Sequence, residues 1–327
     1  MVCPICNSTK TRTIFSKFSG YIENTNYNIF ECADCDTQFI DMKKVDTKIY
    51  DLIYGQEKTP GYDRYFNYAN NVKNSKNPLK WLSLQESTYY PIYMELKQNN
   101  KKLKILEVGC GYGYLTYSLR KMGHEAFGID IAKNAIKFAK QNFGNYFSLG
   151  SINDIHKKDK FDIIIATELI EHLQNPAEFI SLCTNLLKDK GKIIITTPNK
   201  DYSPKKTIWK TDLPPVHTVW LSKKSFENLS NQNNLKCNFV DFSKYVSIKE
   251  NKLISYLLSI LHQSTLPLPI LDKNGQPYHK RVAISNSRVR KIAKTVIFSY
   301  PIKLSSHILA KLFNSESQTL GVILIKK

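Results

Sequence analysis

The chain has 327 residues, 42% hydrophobic and 23% charged, a balance that supports a buried core and excludes a disordered or fibrous polymer. Its 47 Lys and Arg against 28 Asp and Glu leave a formal charge of +19, part of which a Lys- and Asn-rich composition produces by itself. No run reaches the ~20 apolar residues of a membrane-spanning helix, which excludes an integral helical membrane protein.

At the amino terminus, Cys3-Pro4-Ile5-Cys6 and Cys32-Ala33-Asp34-Cys35 form two C-x-x-C knuckles with β-like sequence between them. Four thiolates at this spacing suit one tetrahedral structural zinc ion on Cys3, Cys6, Cys32 and Cys35. Zinc binding supplies ~10–16 kcal/mol to folding, which is how a module of residues 1–40 stands without a large core. With four cysteine ligands, no coordination position stays open for catalysis. The rival reading is a pair of disulfides. No secretory signal is read at the start, and Cys110, Cys183 and Cys237 fall in predicted core elements as single thiols. Both points argue for a reducing compartment, hence zinc and a cytoplasmic location.

Residues 41–100 form a Tyr-rich stretch expected as a helical linker or cap. It carries Tyr50, Tyr54, Tyr62, Tyr65, Tyr68, Tyr89, Tyr90 and Tyr93, with Trp81 among them. Most are expected to be core and helix-packing aromatics. Tyrosines also suit stacking on a sugar or base, and Tyr50 and Tyr54, one helical turn apart, are the first candidates for that.

Ile105 to Tyr114 is the most informative segment. An apolar run reaches Glu107 and Val108, and then Gly109, Gly111 and Gly113 alternate. This predicts a buried strand, a tight glycine turn lying against a small molecule, and a helix. His124–Ile131 predicts a second strand ending at Asp130, about twenty residues past the loop, where an α/β nucleoside site places its ribose-binding carboxylate. Ala132–Asn142 has helical spacing, Tyr146–Leu149 is a short third strand, and Asp154 follows. Phe161–Ala166 is an apolar run suited to a central parallel strand. Pro176–Leu187 predicts an amphipathic helix stopped at Gly191, Lys192–Thr197 a fifth strand, and Thr319–Ile325 the last. This rhythm implies one open, mostly parallel sheet with ligands outside the carboxyl ends of its strands.

Two further segments carry chemistry. Thr167-Glu168-Leu169-Ile170-Glu171-His172-Leu173 follows the fourth strand; as a helical turn it puts Glu168 and Glu171, or His172, on one face. Downstream, Leu213-Pro214-Pro215-Val216-His217 precedes a helix starting at Ser222. An imidazole is suited to take a hydroxyl proton near neutral pH, and a cation could instead lower the hydroxyl pKa. The bland alternative is that the glutamates shape the pocket and His217 caps a loop. Between Asp272 and Glu316 there is no acidic residue, while Lys273, Lys280, Arg281, Arg288, Arg290, Lys291, Lys294, Lys303 and Lys311 interleave with apolar residues. This segment, with apolar Leu253–Ile260 before it, reads as an insertion ahead of the last strand. A helical lid with a solvated basic face is one reading. A surface over residues 273–312 for an anionic membrane, RNA phosphates or a phosphorylated sugar is the other, with about 1 kcal/mol per well-placed Lys or Arg on a membrane.

The spacing E-x-G-x-G-x-G over Glu107–Gly113, with Asp130 and Asp154 behind it, resembles class I S-adenosylmethionine methyltransferases rather than the G-x-G-x-x-G dinucleotide folds. The resemblance implies S-adenosylmethionine as cofactor. Its expected contact set is Glu107, Gly109, Cys110, Gly111, Gly113, Asp130, Ile131, Asp154 and Thr167, with Asp154 accepting from the adenine amino group. Within that family, E-x-x-E-H with a later His recurs in two settings. One is O-methyltransferases that hold a divalent cation, such as RNA 3′-terminal 2′-O-methyltransferases and quinone-biosynthesis O-methyltransferases. The other is enzymes acting on sugars and cell-surface glycans, where His is a candidate base. The RNA enzymes carry a second adjacent His where Leu173 stands here. Glu168, Glu171, His172 and His217 are therefore the candidate catalytic residues and the candidate divalent-cation site.

The order of parts resembles bacterial, often zinc-ribbon-bearing methyltransferases that modify surface-polysaccharide sugars. It implies a zinc ribbon (1–40), a Tyr-rich helical cap (41–100), an α/β Rossmann-like class I methyltransferase core (101–245), a basic helical insertion (246–316) and a last core strand (317–327). The expected reaction is O-methylation of a sugar in a cell-surface glycan or its lipid- or nucleotide-linked precursor, in the cytoplasm or peripherally at the inner membrane face. Related zinc-bearing enzymes that methylate sugar carbon carry a further C-terminal domain not read here, which favours oxygen. Alternatives are a ribosomal RNA guanine-N1 methyltransferase, which the charge favours but E-x-x-E-H and the Pro-Pro-x-His segment do not, and a non-catalytic zinc-ribbon binding protein, which the intact glycine loop argues against.

Overall fold

The computed structural model describes residues 1–41, 63–202, 208, 212–245, 269–276 and 317–327. Among these, one sheet has seven strands: β4 (Lys104–Val108), β5 (Glu125–Asp130), β6 (Phe147–Leu149), β7 (Phe161–Thr167), β8 (Leu187–Pro198), β10 (Leu235–Phe239) and β11 (Thr319–Lys326). Their order is β10-β11-β8-β7-β4-β5-β6. The five strands from β8 to β6 run parallel, while β11 joins β8 and β10 joins β11 antiparallel. The order reverses direction at β4, so the loops after β4 and β7 open on one crevice at the carboxyl edge.

The alternation along each strand sorts side chains onto two faces. Leu106, Ile164, Ile193 and Ile195 pack on one face with Phe179, Ile180 and Cys183 of α6 (Pro176–Leu186) and Phe226 and Leu229 of α7 (Lys223–Gln232). Ile105, Ile163, Ile165 and Ile194 pack on the other. That face is covered by α1 (Asp63–Asn71), α2 (Pro78–Gln85), α3 (Tyr90–Leu96), α4 (Tyr114–Lys121) and α5 (Lys133–Phe143). Each buried Ile contributes about 1.5–3 kcal/mol over its exposed state, which is why continuous apolar runs mark central strands. Asn77-Pro78 and Asn175-Pro176 start α2 and α6: each Asn side chain accepts an amide from the first turn, and proline has no amide to waste there.

One sequence expectation needs correction, and one strand lies outside the sequence reading. Helix α6 ends at Leu186, and the chain passes directly into β8, so Gly191 lies within the strand and does not stop the helix. The excursion between Leu187 and Lys192, with Lys190 at φ 58°, forms an irregularity opposite Phe161–Ile163. Strand β10, with only five residues, was not expected at all.

The amino-terminal module contributes β1 (Thr11–Ser19), β2 (Asn26–Cys32) and β3 (Gln38–Ile40) to a second, antiparallel sheet. Its fourth strand, β9 (Val219–Trp220), comes from the far side of the chain. Residues 1–40 therefore do not close on themselves. Cys3, Ile5, Cys35 and Phe39 also belong to the same apolar cluster as α6 and α7.

Candidate functional site

The glycine loop leaves β4 with Gly109, Gly111 and Gly113 all at positive φ. The amides of Gly109 and Cys110 donate to Ile129 O at 2.8 and 3.1 Å. The Asp130 carboxylate holds the loop as well, accepting from Gly111 N on Oδ2 and from Ala132 N on Oδ1, both at 2.8 Å. Lone pairs remain on this carboxylate beyond those the amides use, and burial raises its pKa. Glu107, beneath the loop, accepts from Thr116 Oγ1 at 2.5 Å, and burial pushes its carboxyl up to about 8.

The three glycines serve different ends. A Cβ on Gly109 would meet the flexible tip of Leu169 at 3.0 Å. A Cβ on Gly113 would stand 2.6 Å from Phe147 and 2.8 Å from Ala139, so the packing of α4 requires glycine here. Gly128, which the sequence reading passed over, has the same role beneath Cys110, whose Cβ and Sγ lie 2.8 Å from the position of its missing Cβ.

At the ends of the neighbouring strands β5 and β6, Ile131 and Leu149 are exposed at 57% and 53%. Asp154 is exposed near them, with Oδ2 accepting from Ser151 N at 2.7 Å and from Ser151 Oγ at 3.1 Å. Thr167 ends β7, half-buried. Two exposed apolar side chains and two carboxylates at the strand ends beside a glycine-rich loop fit a purine nucleoside with a polar tail.

Across the crevice, the segment after β7 is a single 3-10 turn over Ile170–His172, and Glu168 precedes it at φ 48° with its amide on Thr196 O at 2.9 Å. Thr88 Oγ1 donates to Glu168 Oε1 at 3.1 Å. Glu171 is buried: Oε2 accepts from Thr197 Oγ1 at 3.0 Å, while Oε1 has no hydrogen-bond partner. His172 Nδ1 lies 2.6 Å from Val216 O, and because a carbonyl only accepts, Nδ1 carries the proton of the neutral ring. His172 Nε2 lies 3.9 Å from Glu171 Oε1. The His217 ring stands edge-on to His172 with centroids 4.7 Å apart, and its buried Nδ1 has no hydrogen-bond partner. Glu171, His172 and His217 thus bring three ligand-type atoms within 4.8 Å of one another.

Burial pushes Glu168 up to about 7, with Arg64 opposing and Glu86 and Asp212 reinforcing. Burial and then repulsion from Glu168 hold Glu171 well above the usual carboxylate range. Burial lowers His172 to about 4, and burial with the neighbouring His172 holds His217 well below the ordinary imidazole range. Three of these contributors escaped the sequence reading. Asp212 is buried one residue ahead of the Leu213–His217 segment. Arg64 and Glu86, paired at 2.8 Å, come from the helical cap. No local motif announced them, because the fold alone brings residues 64, 86, 168 and 212 together.

The cap's tyrosines behave mostly as packing residues. Tyr68 contacts Trp81, Tyr89 and Tyr114 edge-to-face, Tyr89 and Tyr114 share a hydroxyl contact at 2.6 Å, and Tyr90 packs on Phe242 and Tyr245. Tyr50, Tyr54 and Tyr62 lie outside the described residues, as does the basic segment from residue 277 on. Among the described residues no helix is long and apolar enough to cross a membrane.

The four amino-terminal cysteines converge. Cys3 Sγ lies 3.4 Å from Cys35 Sγ and Cys6 Sγ 3.5 Å from Cys32 Sγ, all four within 4.8 Å. None forms a disulfide. Each knuckle closes the same way: Asn7 N donates to Cys3 O and Asp36 N to Cys32 O, both at 3.0 Å, with Asn7 and Asp36 left-handed. Sulfurs ~2.3 Å from one tetrahedral ion stand about 3.8 Å apart, so this donor set fits such an ion.

A family model described as a methyltransferase domain matches residues 99–274. The chain is similar to the ubiquinone biosynthesis O-methyltransferase of Glaesserella parasuis, 36% identical over 108 residues, 30% of this chain and 46% of that protein. It is also similar to the mitochondrial ubiquinone biosynthesis O-methyltransferase of Dictyostelium discoideum, 33% identical over 129 residues, 34% of this chain and 39% of that protein. The chain spans less than half the length of these two relatives. A solved SAM-dependent methyltransferase from Archaeoglobus fulgidus is 16% identical, with a TM-score of 0.46 over 80% of this chain and 99% of that one.

Proposed function

The chain belongs to the methyltransferase-domain family, and from that premise we propose that it is an S-adenosylmethionine-dependent O-methyltransferase acting on a polyhydroxylated acceptor, a sugar of a surface glycan or of its lipid- or nucleotide-linked precursor. The observation that carries the reading is the Glu171–His172–His217 cluster across the crevice from the glycine loop, joined by the Leu169 contact to Gly109. The names of the relatives support oxygen as the methylated atom. Their matches cover about a third of this chain, so their acceptor does not transfer with the likeness. What supports a polyol here is the set of buried carboxylates, Glu168, Glu171 and Asp212, which accept hydrogen bonds from hydroxyls and offer little to an apolar ring.

When bound, S-adenosylmethionine supplies an electrophilic methyl group on a sulfonium sulfur. Asp130 would accept the ribose hydroxyls with its remaining lone pairs, Ile131 and Leu149 would cover the purine, and Asp154 would accept from its amino group. Glu107, Gly109, Cys110, Gly111 and Thr167 would shape the seat of the polar tail. On the acceptor side, His172 and His217 would be the groups placed to receive the hydroxyl proton. A second reading is favoured by the unpartnered Glu171 Oε1 and His217 Nδ1. These atoms with His172 would hold a divalent cation, which would lower the hydroxyl pKa. Cys3, Cys6, Cys32 and Cys35 would hold a structural zinc ion.

Transfer of labelled methyl to a glycan-precursor extract and to RNA, each with and without EDTA, tests these readings together. Label in the glycan fraction is expected, and label in RNA would overturn the acceptor. Activity lost to EDTA and restored by magnesium would select the cation over the base. His172→Ala and His217→Ala are each expected to lower turnover by ~10²–10⁴-fold with donor affinity unchanged. Full activity in both would remove the cluster from the mechanism. For the basic segment at 273–312 we propose contact with an anionic membrane surface, and failure to sediment with anionic vesicles at low salt would refute it.

A further inference from the structure

We propose that the amino-terminal four-cysteine module is the positioning element of His217, so that metal occupancy at Cys3, Cys6, Cys32 and Cys35 sets the geometry of the acceptor side while leaving the donor side intact. This rests on the reading of His217 as a site residue.

The segment Leu213–Trp220 is held from two directions. On the module side, Tyr21 N donates to Pro214 O at 2.6 Å, Ile40 N donates to Thr218 O at 3.1 Å, and β3 pairs Phe39 with Val219 and Gln38 with Trp220. On the site side, Thr218 N and Oγ1 donate to Glu171 O at 2.8 and 3.1 Å, and His172 Nδ1 donates to Val216 O. His217 thus sits one residue before a peptide bonded to both the module and the catalytic turn. The side chains of Leu213, Val216 and Trp220 are buried with Phe18, Tyr21 and Ile29 of the module, so the segment's apolar anchor also comes from the ribbon.

A second thread starts at the sulfurs. Thr37 Oγ1, fully buried, lies 3.1 Å from Cys35 Sγ and 2.8 Å from Ser225 Oγ. Ser222 Oγ and Ser225 Oγ both donate to Cys35 O at 3.3 Å. Ser222 caps α7, two residues beyond Trp220. The knuckle therefore fixes both ends of β9, through β3 at one and the cap of α7 at the other. A module of this size needs its ion to stay folded, and groups behind a ligand set its orientation as firmly as the ligand's own contacts.

Two full-length variants test this. Cys6→Ser removes one sulfur. Gly20→Ala leaves all four, but its Cβ would meet Thr25 Oγ1 at 2.2 Å, Tyr27 at 2.6 Å and Pro214 O at 3.1 Å, displacing the turn that holds Pro214. Zinc content, hydrogen exchange of peptides covering 213–220 and 104–130, and S-adenosylmethionine affinity would be measured on each. The expectation is zinc lost in the first and kept in the second. In both, exchange at 213–220 rises by roughly tenfold or more, exchange at 104–130 is unchanged, and donor affinity stays within about twofold. Ribbon peptides exchanging freely while 213–220 stays protected would overturn the proposal. So would loosening of 104–130 to the same degree, which would make the module a general stabiliser. A wild-type protein without zinc but fully protected at 213–220 would overturn the metal's part in it. A wild type that binds no S-adenosylmethionine would instead refute the methyltransferase reading and leave the exchange result to decide the coupling.

Discussion

Glu107 shows how one residue in the loop carries both a motif and a thermodynamic signature. Its carboxyl is buried at the end of β4 with its pKa raised to about 8 from 4.5, burial being the main cause and the Asp130 charge adding to it. Between those values the unfolded chain ionises and the folded chain keeps its proton. Stability is therefore fullest below the unfolded pKa and falls as pH rises toward 8, by at most about 1.4 kcal/mol per pH unit. Above 8 both states are ionised and the loss is complete. Glu107→Gln keeps the shape and a hydrogen-bond partner for Thr116 without the charge, so its advantage over wild type should grow from pH 5 to 8 and then level off. Melting curves of both proteins across that range check it, and parallel curves would mean that Glu107 is ionised when folded. The acid before the glycines was legible because its chemistry is local. Arg64, Glu86 and Asp212 were not, since isolated charged residues in sequence look like solvated ones until the fold gathers them.

At the scale of elements, the glycine loop separates conformation from packing. Gly109→Ala would strain a position at φ 75° and nudge a Leu169 methyl, a cost of about 1–2 kcal/mol. Gly113→Ala carries the same backbone strain at φ 80° and also drives a methyl into the Phe147 ring and Ala139, which adds ~1–3 kcal/mol because two helices and a strand must part. Urea unfolding should therefore rank Gly113→Ala below Gly109→Ala, and the reverse order would show that the loop's packing yields more easily than its backbone. The parallel strands were readable because burial on both faces makes them continuous apolar runs. Strand β10 (LKCNF) was not, because it is short, half exposed and set by pairing with β11. The same limit hid β9: two residues become a strand only because β3 lies beside them. Gly191 looked like a helix stop because glycine after a helical pattern usually is one, yet Leu187 pairs with Phe161 and takes the chain into the sheet first.

For the whole molecule, the net charge of +19 sets a competition that salt can resolve. Like charges repel across a folded surface, and screening relieves that repulsion. Screening also weakens ion pairs, but those among the described residues lie mostly at the surface, such as Arg12–Glu31, Lys10–Asp34 and Lys188–Asp162. Exposed pairs of this kind contribute about 0–1 kcal/mol each. The Lys200–Glu31 pair is more enclosed and loses less to added ions. Repulsion summed over an excess of nineteen cations should outweigh the few exposed pairs, so the melting temperature should rise as sodium chloride is raised from low to physiological ionic strength. Sodium fluoride at equal ionic strength should reproduce the rise if it is screening, whereas a rise confined to phosphate or sulfate would mark specific anion binding. A melting temperature that falls with either halide would show that the ion pairs, and not the charge excess, dominate the electrostatics of this fold.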